Sequence, residues 1–325
     1  MFQKQKIMLR VVYSLIPIYL FAVYLYGWRL LAHSIVVFAT GIFLEYVMTK
    51  RRKKKVSQAV LVTCALYTLS LPPATPLWIS MIGIAFAIFI AKEAFGGFGR
   101  NIFNPAISGR MFIYLTFPAV LASSWMVPGL FGTSYNVGID ALSSATPLAL
   151  IRNGEFPSFN DMVWGFHAGS FGESSIFLIL IAALYMIFTK TASVRLMLST
   201  FLSATLLAAI LYFSGLIPGM NPENISIIES LRRILIYLFS GALLFMVVYM
   251  ATDPVTAPNS PLPQLLYGSI IGCVTILIRV FSGFPEGVSF GILVGNTFSP
   301  WLEEVFAPKK KKKKKPAEQL GSNKK

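Results

Sequence analysis

Charge is what this chain has least of. Only 13% of its 325 residues are Asp, Glu, Lys or Arg, against 55% hydrophobic, and the mean hydropathy is +0.68. Soluble domains carry about 25% charged residues, so too little charge is present to cover a globular surface, which argues against a soluble enzyme. Cysteine is equally scarce. Cys64 and Cys273 both lie in apolar stretches without C-x-x-C spacing, which argues against a disulfide or an iron–sulfur ligand set and leaves two small buried hydrophobes. The two histidines, His33 and His167, lack metal-ligand spacing and read as hydrogen-bonded structure. No glycine-rich dinucleotide fingerprint occurs.

Long apolar runs separated by charge are present instead, the mark of a polytopic helical membrane protein. Runs of about 20 apolar residues, the length of one crossing, fall near 11–29, 31–49, 56–72, 76–95, 104–126, 174–190, 194–215, 232–251, 262–281 and 286–306. The first two are almost continuous, so a tight turn is expected around Trp28 to Leu31. The basic start, MFQKQKIMLR, leads into the first run with no small-residue cleavage site and reads as a signal anchor.

The net charge of +15 divides unevenly: Lys309 to Lys315, Lys324 and Lys325 stand against the single acid Glu318. This tail reads as a solvated tail near anionic lipid, and nucleic acid is not implied. The remaining bases cluster in alternate loops. Lys4, Lys6 and Arg10, the run Lys50 to Lys55, Arg100, Lys190, Arg195 and the tail all share one side if the spans number ten. By the positive-inside rule that side is cytoplasmic, with both termini, and 127–173 is extracytoplasmic. The expected organisation is five helices over 1–126, a loop over 127–173, five helices over 174–306, and a basic cytoplasmic tail over 307–325.

Two segments, 96–105 and 252–263, are rich in Gly, Pro, Asn and Thr beside membrane-depth sequence, where irregular backbone must be satisfied by protein or by a cavity. An internal echo accompanies them. F-x-G-F and N-x-F-x-P occur at Phe95 to Phe98 and Asn101 to Pro105, and again at Phe281 to Phe284 and Asn296 to Pro300. The fold expected is all-α, with about ten transmembrane helices arranged as two inverted five-helix repeats.

The stretch 127–173 is too long for a plain connector and is rich in aromatics. It contains Asp140-Ala-Leu-Ser143-Ser144-Ala145-Thr146-Pro147, where small residues let a bulky group approach the backbone and successive N–H groups can cradle a phosphate. Read alone, Thr146-Pro147 is a helix start. Yet this segment resembles the D-x-[LIV]-[ST]-[GS]-A-T motif at which a flavin transferase joins FMN, through its phosphate, to a threonine. Four further signatures follow the same order: Lys92 to Gly97 with Asn101 to Ala106, Gly169 to Ser174, Thr252 to Pro258, and Phe284 to Val288 with Asn296. Together they are similar to the family of the D subunit of the Rnf electron-transport complex and its paralogue, the B subunit of the sodium-pumping NADH:quinone reductase.

The resemblance implies covalent FMN on Thr146, with Asp140, Ser143, Ser144 and Ala145 read by the transferase; Ser144 stands where glycine is commoner. It also implies a non-covalent riboflavin in some members, for which no residue stands out here. The implied function is that of an integral subunit, not catalytic alone, of a bacterial inner-membrane complex passing electrons between ferredoxin and NAD while moving Na⁺ or H⁺. Other Rnf-type subunits and the flavin transferase would be its partners. The quinone-reductase B subunit, or a redox-silent channel or transporter of the same plan, are the alternatives.

Charges at membrane depth are costly and usually paired or functional. Arg110 is expected to snorkel or to serve an ion or flavin path. Arg279 is expected to pair with Asp253 or Glu286, which flank its span, or to contact a flavin phosphate. Lys92 and Glu93 are expected to pair locally or line an ion path, and Glu173 to cap a helix N-terminus.

Overall fold

The computed structural model describes residues 2–129, 131, 145–222, 225–282, 284 and 287–308. Regular structure among them is helical, except for a two-residue parallel pairing of Phe2–Gln3 (β1) with Val56–Ser57 (β2). Gln5 and Gln58 extend this clasp: the Gln5 N–H donates to Gln58 Oε1 at 2.5 Å, and the Ala59 N–H to Gln5 Oε1 at 3.0 Å.

α1 (Lys6–Tyr26) and α2 (Trp28–Arg51) are separated by Gly27 alone. The turn is therefore as tight as expected but falls just before Trp28. α3 (Ala59–Leu69) is followed by α4 (Leu77–Phe86), which widens into a π-helical segment, Ala87–Glu93. α5 (Pro105–Thr116) and α6 (Pro118–Ala122) come next; Phe117 precedes a proline, which disfavours helix there and divides them. Two short helices follow, α7 (Pro147–Arg152) and α8 (Phe159–Trp164). The rest of the chain forms α9 (Ile176–Phe188), α10 (Val194–Phe213), α11 (Ile227–Phe239), α12 (Leu243–Tyr249), α13 (Pro261–Phe281) and α14 (Val288–Phe306).

Each of the ten expected spans contains helix, but not always one uninterrupted rod. Among the described residues α1, α2, α10 and α13 are long and apolar enough to cross a membrane singly, and α11 with α12 forms a fifth crossing bent by 58°. α3 has only 11 residues, about 16 Å of helix, because Pro72 and Pro73 follow. Its end and the chain just beyond it are met from a distant part of the chain: the Gly172 N–H donates to Leu69 O at 2.7 Å and the Phe171 N–H to Leu71 O at 3.2 Å. Backbone that leaves its own helix inside a bilayer is tolerated only with such partners.

α13 packs between α10 and α14. Gly268 and Gly272 face Ser199 and Ser203 of α10, the small-residue seam by which membrane helices approach closely. The two ends of the molecule are marked by contacts. At one, Arg10 donates to Thr189 O at 2.8 Å, bringing the start of α1 to the end of α9; the Lys50 to Lys55 run lies at this basic end, beside the β1–β2 clasp. At the other, the Gly129 N–H donates to Leu25 O at 3.2 Å, and Gly165 lies against Ser174 and Phe21.

Candidate functional site

Thr146 is the N-cap of α7. Its Oγ1 accepts the Ala149 N–H at 3.3 Å, and Pro147 opens the helix. Thr146 is half-buried and Ala145 exposed. Among the described residues the cap uses the oxygen only as an acceptor, which leaves the hydroxyl proton available. Asp140, Ser143, Ser144 and Glu286 lie outside the described residues.

α7 is held at both ends. Leu148 packs against Gly241, where a Cβ would fall 2.8 Å from Leu148 Cδ1 and 3.5 Å from Arg279 Nη2. Gly241 has φ 69, the left-handed region that glycine enters without steric cost, and it stands in the break between α11 and α12. At the far end Arg152 Nη2 donates to Arg279 O at 2.9 Å, Ser282 O at 3.2 Å and Phe284 O at 3.4 Å, closing the last turn of α13. Nothing singled out Arg152 beforehand. Its one sequence signal was being the only base in 127–173.

Arg279 is buried at 2% exposure. Nη1 donates to Tyr237 O and Nη2 to Ser240 O, both at 2.9 Å, and the guanidinium lies 5.6 Å from the centre of the Tyr237 ring. These are carbonyls that the broken span releases. Asp253 lies beyond α12, where Oδ2 accepts from Asn104 Nδ2 at 3.2 Å and Oδ1 from the Val255 N–H at 3.0 Å. Among the described residues the arginine thus meets main-chain carbonyls at a helix break and does not pair with Asp253, which bonds Asn104 instead. Arg110 does not snorkel. It is 1% exposed, donates to Ser289 Oγ at 3.2 Å and Tyr114 OH at 3.3 Å, and reaches Met246 Sδ at 3.4 Å. It joins α5 to α12 and α14.

Between these sites the two echoed motifs meet. Asn296 Oδ1 accepts the Asn104 N–H at 3.0 Å, while its Nδ2 donates to Tyr267 OH at 2.7 Å. Asn104 also caps α5, with Oδ1 accepting from Ala106 and Ile107.

At the basic end the π-helical turn buries two consecutive charges. Lys92 Nζ lies 2.5 Å from Glu45 Oε2 and 3.0 Å from Ser57 Oγ. Ser57 donates its N–H and hydroxyl to Glu45 Oε1 at 2.8 and 2.5 Å, and Glu93 pairs with Arg52. Of the two expectations for Lys92 and Glu93, local pairing or an ion path, the pairing is with more distant residues: each finds a partner from α2 or the residue after it. Glu45 was missed, although one acid inside an apolar run is the same signal that singled out Arg279. Glu173 accepts from the N–H and hydroxyl of Ser170, and Ser175 caps α9 in its place. Burial holds the His167 imidazole below its usual range, opposed by the neighbouring Ala168 carbonyl.

Helices bent or cut short at membrane depth, their freed carbonyls met by buried arginines and by distant N–H groups, define a polytopic all-α membrane protein. Across residues 2–312 the sequence matches the NQR2, RnfD, RnfE family, and the chain belongs to it. It is 37% identical over 84% of its length to the B subunit of the Na⁺-translocating NADH-quinone reductase of Chromohalobacter salexigens, of which it spans 64%. To the D subunit of the ion-translocating oxidoreductase complex of Shewanella sediminis it is 28% identical, covering 95% of this chain and 94% of that one. The D subunit of the Na⁺-translocating ferredoxin:NAD⁺ oxidoreductase complex of Acetobacterium woodii is 31% identical, over 91% of this chain and 87% of the relative.

Proposed function

We propose that the chain is the D-type membrane subunit of an Rnf-like, ion-translocating oxidoreductase, carrying FMN on Thr146 through a phosphoester. The observation that carries this reading is Thr146 itself. It follows the small-residue motif, its hydroxyl heads α7 with the proton available, and α7 is fixed between the break in the α11–α12 span and the end of α13. Bound there, the flavin would supply a one-electron relay. The chain's own residues supply position: Leu148 seats α7 against Gly241, and Arg152 ties it to three carbonyls.

Similarity to D-type relatives over 91–95% of this chain supports the Rnf reading. The higher identity to the B-type relative favours a second reading, the quinone-reductase B subunit. In both, other subunits handle the soluble electron carriers, Na⁺ or H⁺ is the ion moved, and a flavin transferase matures the chain. The basic end would face the cytoplasm of a bacterial inner membrane, with α7 on the opposite side.

The test is intact mass and in-gel flavin fluorescence after denaturation, for wild type and Thr146→Ala, co-expressed with the transferase. The expected result is one FMN per chain in the wild type and none in the variant. An unmodified wild-type mass despite an active transferase overturns the reading. Reduction of the assembled complex by ferredoxin, set against its reduction of quinone, separates the Rnf and quinone-reductase assignments.

A further inference from the structure

A second site lies at the basic end, away from Thr146. A cavity of about 450 Å³ opens there, lined among others by Glu45, Arg52, Lys54, Lys55, Glu93 and Gly97, within the size range of small-ligand sites. Its two acids suggest a cation site, but both are already neutralised. Glu45 is held by Lys92 and by both Ser57 donors, and Glu93 by Arg52.

The surplus in the wall is positive. Lys54 and Lys55 are exposed and form no salt bridge among the described residues. Arg52 pairs with Glu93 and donates Nε to Met48 O at 3.4 Å. Nη1 faces Gly97, where a Cβ would fall 3.3 Å from it and 3.4 and 3.5 Å from the two Glu93 oxygens, and Arg52 and Gly97 both line the cavity. One guanidinium edge and two ammonium groups around a polar hollow are the donor set for a phosphate group. The hollow sits where α2 ends its crossing, the level at which lipid phosphates lie.

We propose that this cavity binds the phosphate of an anionic phospholipid headgroup, through Arg52 Nη1 and the ammonium groups of Lys54 and Lys55. Free inorganic phosphate shares that chemistry, and the test distinguishes the two. A diffuse attraction of basic loops to anionic lipid is the competing explanation, so the control must change the same charge at the same end outside the cavity.

The full chain, purified in neutral detergent, is exposed to a mixture of phosphatidylglycerol and phosphatidylcholine and examined by native mass spectrometry, with and without inorganic phosphate. The wild type and the control Lys4→Glu/Lys50→Glu are expected to retain one phosphatidylglycerol. Lys54→Glu/Lys55→Glu is expected to bind it at least about tenfold more weakly, with an unchanged unfolding midpoint. Retention of phosphate instead of lipid, lost in Lys54→Glu/Lys55→Glu, also supports the site and assigns its source to soluble phosphate. Equal loss in the control, or undiminished binding in Lys54→Glu/Lys55→Glu, overturns the proposal.

Discussion

Asn296 accepts the main-chain N–H of Asn104 at 3.0 Å, joining positions 192 residues apart. Both belong to copies of the same short pattern, and each also serves its own half of the chain: Asn104 caps α5, and Asn296 donates to Tyr267. A buried amide in this place satisfies the N-cap residue of one helix from the middle of another.

Asn296→Ala removes both functions of that side chain. The Asn104 N–H and the Tyr267 hydroxyl lose partners in a site where Asn296 is fully buried. The expected loss is about 1–2 kcal/mol, read as a lower unfolding midpoint in detergent. Stability equal to the wild type would sink the assignment of this contact as a central clasp.

Arg279→Met keeps much of the side-chain bulk but deprives Tyr237 O and Ser240 O of charged donors. Charge-assisted bonds of this kind contribute about 1.5–3 kcal/mol each in buried sites. The expected outcome is a destabilised chain that limited proteolysis cuts near Ser240 and Gly241, at the break those carbonyls flank. Arg279→Lys should recover part of the stability, since one ammonium cannot reproduce the geometry of the fork.

Lys92 and Glu45 are each 1% exposed and 2.5 Å apart. Lys92→Met strands the carboxylate and is expected to cost about 3–5 kcal/mol. Adding Glu45→Gln removes the stranded charge while keeping an acceptor for Ser57, and should restore most of the loss. Thermal unfolding of the two single variants and the double variant measures the coupling; strictly additive losses would contradict it.

Gly241→Ala is expected to act on α7 from outside it. At φ 69 the alanine is strained by about 1 kcal/mol or more, and its methyl would overlap Leu148. If Thr146 carries FMN, covalent flavin per chain should fall together with stability. Leu148→Ala in the same background should return flavin content by making room for the methyl, a rescue that general destabilisation would not give.

Much of the fold was legible because hydropathy and charge act along the chain. Ten apolar runs mark ten helical stretches, and the echoed motifs mark segments that touch. The irregular stretches 96–105 and 252–263 likewise correspond to real departures from helix. What could not be read were relations between distant residues. Nothing local ties Glu45 to Lys92 or Arg152 to the end of α13, because each pairing exists only once separate elements have packed. The partner of Arg279 was sought among acids because a buried charge invites a counter-charge. Of those acids Asp253 bonds elsewhere and Glu286 lies outside the described residues; a broken helix supplies carbonyl partners besides, and Gly241 within an apolar run was the local sign of the break.

The truncated α3 has a consequence in time. The Leu69 carbonyl at its end and the Leu71 carbonyl just beyond are met by the N–H groups of Gly172 and Phe171, which are synthesised only after α4 and α5 have emerged. At roughly 5–20 residues per second, the stump waits on the order of ten seconds for its missing turn. Until then it needs water, lipid headgroups or the insertion machinery to receive those carbonyls. A nascent chain arrested before Phe171 should therefore leave its third helix near the aqueous boundary, and the first half of the molecule becomes a finished structure only when a later stretch of chain folds back to complete it.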